Sequence, residues 1–140
     1  MILQYPAKIT FSKRDKTYIV EFPDLPGCLT YGDTIEEAQS NAKEALTGFL
    51  ESIDGRKLDI PRPSALKGKD IFPIEPETSA GFAIKLKLVR AEIGLSQKEA
   101  AERLGIRFPA YQKYENPKKA NPTLKTIERI EKAFGRRLVC

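Results

Sequence analysis

Histidine is absent from the 140 residues and cysteine occurs only twice, as Cys28 and Cys140. Without histidine there is no Ser-His-Asp triad, no Cys-His pair, no zincin-type metal site and no imidazole general base. Two cysteines are too few for a disulfide framework or an all-thiolate zinc site within one chain. An enzyme built from this set would have to work with carboxylates, lysines or a bound metal. Long apolar runs are missing as well: nothing approaches the roughly 18 residues that cross a bilayer. The opening Met1-Ile2-Leu3-Gln4-Tyr5-Pro6 has neither a basic n-region nor a cleavable apolar segment. These absences lead us to expect a cytoplasmic protein with no membrane span, no metal and no cofactor.

What is present is a globular balance, 41% apolar and 31% charged, in a chain long enough for one ordinary domain or two small ones. Charge is unevenly placed. Residues 1–78 carry 10 basic and 13 acidic side chains, a net −3, whereas 79–140 carry 14 and 6, a net +8. A basic half suits a polyanion, and the mildly acidic half has another task.

The first half reads as strands followed by a helix. Apolar and polar residues alternate in Ala7-Lys8-Ile9-Thr10-Phe11, and Tyr18, Val20 and Phe22 share one face of a second strand, so a hairpin is predicted. Pro23-Asp24-Leu25-Pro26-Gly27 interrupts the ladder, and Cys28-Leu29-Thr30-Tyr31 is a short third strand. Thr34-Ile35-Glu36-Glu37 has the form of a capping box. Behind it Ile35, Ala38, Ala42, Ala45, Leu46, Phe49, Leu50 and Ile53 form an apolar stripe at helical spacing, with Gly55 at the expected C-cap. Prolines 61, 63, 73 and 76 exclude a helix over 56–78; Ile71-Phe72-Pro73-Ile74 fits an edge strand. We therefore expect an α+β protein: a first domain over 1–74, a linker at 75–79 and an all-α domain over 80–140. Helices are predicted near 80–93, 97–104, 108–115 and 124–134, the last with Leu124, Ile127, Ile130 and Phe134 inward.

Within the all-α part, a helix, a glycine turn and a second helix follow the helix-turn-helix plan. Ser96-Gln97-Lys98-Glu99 is a second capping box, Ala101 is small where helices pack closely, and Gly105 frees the turn from Cβ strain. Leu95 to Ile106, with Arg90 before and Asn121-Pro122-Thr123-Leu124 after, resembles the cro/repressor-type helix-turn-helix family over roughly 50 residues. The chain departs from that pattern at Tyr111 and Tyr114, where aliphatics are usual, and at Arg107, where Ser or Thr usually caps. The resemblance implies that Gln97 touches phosphate or anchors the second helix, and that Phe108, Ala110, Gln112 and Lys113 face the DNA groove. Gln112 is the candidate for bidentate adenine reading. Arg107, Lys113, Lys118 and Lys119 are candidates for phosphate contacts, which position without specifying sequence; the structural alternative for each is an ordinary solvated charge.

Phe22-Pro23-Asp24-Leu25-Pro26-Gly27-Cys28, then Thr30-Tyr31-Gly32-Asp33-Thr34, Glu36-Glu37-Ala38 and Asn41-Ala42, resembles the HicB antitoxin family over about residues 3–54. That resemblance implies a partial RNase-H-like fold. It also implies a HicA-type toxin as partner, a small basic ribonuclease, and repression of the protein's own operon by an oligomer on operator DNA. An acidic first domain suits a basic partner. Asp24, Tyr31 and Asp33 are the candidate toxin-facing residues, although both aspartates also suit turns. Cys28 reads as a small buried apolar residue. Reading a palindrome requires two recognition helices about 34 Å apart, so at least a dimer is expected, with Leu138-Val139-Cys140 pairing as a strand across the two-fold axis. One alternative is a free-standing regulator whose first domain senses a ligand or dimerises. The other is an RNase-H-like metal nuclease using Glu21, Asp24 and Asp33; Glu21 is its only acid within a predicted strand, so we expect no enzyme.

Overall fold

In the computed structural model, which describes residues 3–139, the alternating segments pair into an antiparallel sheet. Strand β1 (Tyr5–Ser12) is central, with β2 (Thr17–Glu21) on one side and β4 (Ile71–Ile74) on the other; β3 (Leu29–Gly32) lies outside β2. Ile9 faces Val20 across β1 and β2, and Tyr5 faces Ile74 across β1 and β4. The period of two puts these side chains and Ala7 on one face, where all five are buried. Helix α1 (Ile35–Gly55) contacts all four strands and contributes Ala38, Ala42, Leu46, Leu50 and Ile53 to the same core. Pro73 falls on the edge strand β4, where its missing N–H costs no ladder bond.

Two details of this region differ from the sequence expectation. Helix α1 runs through Gly55, and the left-handed residue that follows is Lys57 (φ 56°), so the glycine is not the cap. Phe11 remains 51% exposed, its ring packed edge-on against Tyr18 at 5.0 Å. The irregular chain between α1 and β4 is held by side chains: the Tyr5 hydroxyl donates to Pro61 O at 2.6 Å. Gly32 is required for close approach, since a Cβ there would stand 2.4 Å from the Ala38 backbone nitrogen.

The chain divides into two compact units, Gln4–Glu77 and a helical unit made by the residues from Thr78 on together with Leu3, which the sequence reading places in the first domain. The second contains α2 (Thr78–Glu92), α3 (Gln97–Leu104), α4 (Phe108–Tyr114) and α5 (Leu124–Phe134). Thr78 and Ser79, expected in a linker, are already helical. Ser96 and Glu99 close a full capping box on α3, and Gly105 (φ 67°) and Gly135 (φ 65°) end α3 and α5 in the left-handed region. The core gathers Phe82, Leu86, Val89, Ala101, Leu104, Tyr111, Ile130 and Phe134.

Leu124 is 85% exposed rather than inward. At 3.6 residues per turn it stands about 90° from the middle of the Ile127–Ile130–Phe134 stripe. The tail also differs from expectation. Leu138 is buried in its own unit's core, and the amides of Leu138 and Val139 donate to Glu131 Oε2 at 2.7 and 3.2 Å. Those amides are therefore not available for a strand across a two-fold axis; Cys140, the last residue of the expected strand, lies outside the described residues.

Candidate functional site

Helix α4 is seven residues long and opens without a side-chain cap, because Arg107 stands at the N-cap and Pro109 in the first turn. Its orientation is fixed from the other side. Tyr111 is fully buried and Tyr114, three residues on, packs against the core, so the two tyrosines occupy the inward face. That leaves Arg107, Phe108, Ala110, Gln112 and Lys113 exposed, with Phe108 41% accessible. Lys118 and Lys119, in the turn after α4, are exposed too; Asn116 Oδ1 accepts from the Lys118 amide at 3.0 Å and shapes that turn.

Beneath this face sits Glu115, only 2% exposed. Its Oε2 accepts from Arg90 Nε at 2.6 Å and from the Tyr111 hydroxyl at 2.5 Å. Its Oε1 accepts from Arg90 Nη2 at 3.0 Å and from Gln97 Nε2 at 2.9 Å. Arg90 also donates through Nη1 to Leu95 O at 2.8 Å, tying α2 to the start of α3. A buried charge of this kind is tolerated only when paired and fully hydrogen-bonded. The electrostatics follow the geometry. Burial opposes the Arg90 charge, but the hydrogen bonds and charge of Glu115 outweigh it and hold the guanidinium above its ordinary value. Burial, and then the Glu115 charge, push the Tyr111 phenol well up, so it stays a neutral donor. Burial pulls the Lys87 ammonium down, against the partial support of Glu115.

Gln97 joins this buried cluster to the exposed face, because its Oε1 meets Gln112 Nε2 at 3.5 Å. Of the residues singled out in the sequence, the helical set is thus brought together around α4 and the start of α3. Glu115 escaped the sequence reading; the signal for it was Tyr111 and Glu115 at i and i+4, adjacent on one helical turn.

In the sheet unit the three candidate residues separate by task. Tyr31 is 67% exposed on the edge strand β3, and its backbone carbonyl accepts from Asn41 Nδ2 at 2.8 Å, which fastens the strand to α1. Asp33 is exposed in the turn before α1. Asp24 is partly buried, and its Oδ2 accepts from the Ser64 amide at 2.8 Å, so it anchors the irregular segment. Beside Tyr31, Leu29 is 62% exposed on the sheet face that does not meet α1, opposite Glu21 in the register. Cys28 is buried, and burial raises its thiol to about 11, as befits a packing residue. Among the described residues no group of three or more Cys, Asp or Glu side chains comes together to hold a metal. None of the described helices is long and apolar enough to cross a membrane.

Comparison with known proteins assigns both units. Residues 4–74 match the family described as HicB-like antitoxin of bacterial toxin–antitoxin systems, and residues 86–139 match a helix-turn-helix family. The protein named antitoxin HicB from Escherichia coli (strain K12) is 36% identical over 104 residues, covering 74% of this chain and 73% of that protein. Antitoxin HicB 2 of Photorhabdus laumondii is 35% identical over 107 residues, covering 75% and 72%. A solved chain of a toxin–antitoxin complex from Streptococcus pneumoniae is 30% identical; the match covers 48% of this chain and 50% of that one, with a TM-score of 0.43. Sheet, helical unit and relatives agree: the chain belongs to the HicB-like antitoxin family and carries a helix-turn-helix DNA-binding domain behind its sheet domain.

Proposed function

We propose that the chain neutralises a HicA-type, mRNA-cleaving toxin through its sheet unit. On this reading it represses its own operon by binding operator DNA as a dimer or larger homo-oligomer in the cytoplasm, and catalyses no reaction itself. The observation that carries the DNA half is the exposed face of α4, Phe108, Ala110, Gln112 and Lys113, in the half of the chain with net charge +8. Gln112 and the apolar Phe108 and Ala110 read base edges, while Arg107, Lys113, Lys118 and Lys119 contact phosphates and Gln97 braces the helix. The toxin half rests on the −3 charge of residues 1–78 and on the exposed β3 edge, where Tyr31 and Asp33 stand beside Leu29. We assign Asp24 to the toxin-facing set as well, its Oδ2 also anchoring Ser64.

The test is to look for a gene for a small basic protein beside this chain's own and to co-express the two. The proposal predicts that the small protein alone cleaves RNA and arrests growth, and that this chain restores growth and binds the upstream DNA. Upstream binding without any effect on a toxic neighbour would leave a repressor whose sheet unit has another ligand.

A further inference from the structure

The buried carboxylate of Glu115 has a consequence for base reading that reaches the surface in two steps. A glutamate carboxylate accepts and never donates. Gln97 therefore meets Glu115 Oε1 with its NH2 group, at 2.9 Å, and its carbonyl is turned the other way. That carbonyl faces the NH2 group of Gln112 at 3.5 Å, the outer limit of a hydrogen bond, on the exposed side of α4. If the Gln112 amide turned over, its carbonyl would confront the Gln97 carbonyl. We infer that Glu115, acting through Gln97, fixes the amide polarity of Gln112 and thereby makes it a reader of adenine over guanine.

The discrimination follows from hydrogen-bond counting. Adenine presents one donor and one acceptor in the major groove, at N6 and N7; guanine presents two acceptors, O6 and N7. An unconstrained glutamine can give both N–H groups to guanine. Gln112 has one N–H directed at Gln97, so it offers a carbonyl and a single N–H outward, the complement of adenine; toward guanine its carbonyl would face O6. Tyr111 and Arg90 make the arrangement firm. They supply three of the four donors around Glu115 and hold it still beneath Gln97. Glu115 and Gln97 are thus positioning residues for Gln112, and the inference rests on the proposal that α4 enters the DNA groove.

The experiment uses the full chain and a DNA site selected by it from a pool of randomised duplexes. Affinities are then measured for the selected site and its single base-pair variants at several salt concentrations. Gln112→Met should abolish the adenine-over-guanine preference at one base pair. Gln97→Met, which leaves Arg90 and Tyr111 on Glu115, should narrow the same preference by about five- to ten-fold. It should add nothing when combined with Gln112→Met. Gln97→Lys keeps a donor for Glu115 but offers Gln112 no acceptor, so it should narrow the preference equally, and unchanged thermal melting of this variant excludes a folding artefact. A uniform loss of affinity in both Gln97 variants, with the base preference intact, would overturn the inference while leaving Gln112 as a reader. No change of preference in Gln112→Met would overturn it by removing the reader itself.

Discussion

The two units handle polar groups in opposite ways. In the sheet unit no charged side chain among the described residues is buried in the core, and polar groups act singly, the buried Tyr5 on Pro61 O and the partly buried Asp24 on the Ser64 amide. In the helical unit a carboxylate sits among the core residues, and Arg90, Gln97 and Tyr111 converge on it from three helices. An apolar core degrades gradually when one contact is lost. A buried charge with four donors fails abruptly when the hub is removed, because the buried Tyr111 hydroxyl loses its acceptor and the partly buried Arg90 keeps only Leu95 O. What the helical unit gains is orientation: the hub that joins three helices also reaches the exposed face of α4.

The largest expected effect breaks this contrast at its centre. Glu115→Ala leaves the partly buried Arg90 guanidinium without its carboxylate, with only Leu95 O still accepting from it, and should cost about 2–4 kcal/mol. In NMR spectra the loss should be concentrated in signals from residues 78–139. Second, Gly32→Ala forces a Cβ toward the Ala38 backbone, at 2.4 Å in the present geometry, where no flexible side chain can yield. It should destabilise the sheet unit by about 1–3 kcal/mol, the cost typical of overpacking, in denaturant melts. Third, Tyr111→Phe removes one of four donors and keeps the ring; about 1–2 kcal/mol should be lost, read in the same melts. The smallest effect concerns the tail. Hydrogen bonds from the Leu138 and Val139 amides hold the Glu131 carboxyl below its ordinary value of 4.5. A depressed carboxylate stabilises fully above its unfolded value and loses that contribution as pH falls through the folded one. Protection of the two amides from hydrogen exchange should therefore persist at neutral pH and fade below about pH 4.5, and Glu131→Ala should remove it at every pH.

Much of this was legible in the chain. Period-two alternation located the hairpin, helical spacing located α1, and the paired Ser96 and Glu99 marked the start of α3 to the residue. The exposed set on α4 was legible because Tyr111 and Tyr114 take the inward positions of one short helix. What escaped depended on contacts distant in sequence. Glu115 reads as one more surface acid until Arg90, 25 residues earlier, is brought against it. Asp24 reads as a turn residue or a docking residue until Ser64, 40 residues later, claims it. The tail has strand-forming composition, yet Leu138 fills the core and Glu131 takes the amides that a ladder would need. Leu124 shows the limit of counting by threes and fours at a helix start, where one position lies off the stripe.

The central claim is that two tasks reside in two units, and it is tested most directly in one strain. Cells would carry whichever toxin that co-expression identifies and a reporter driven by the upstream promoter, with either the wild-type chain or Gln112→Ala/Lys113→Ala. The account predicts full rescue of growth by both proteins, with repression of the reporter lost only in the double variant. Loss of rescue and repression together, by a double variant that melts like the wild type, would contradict it.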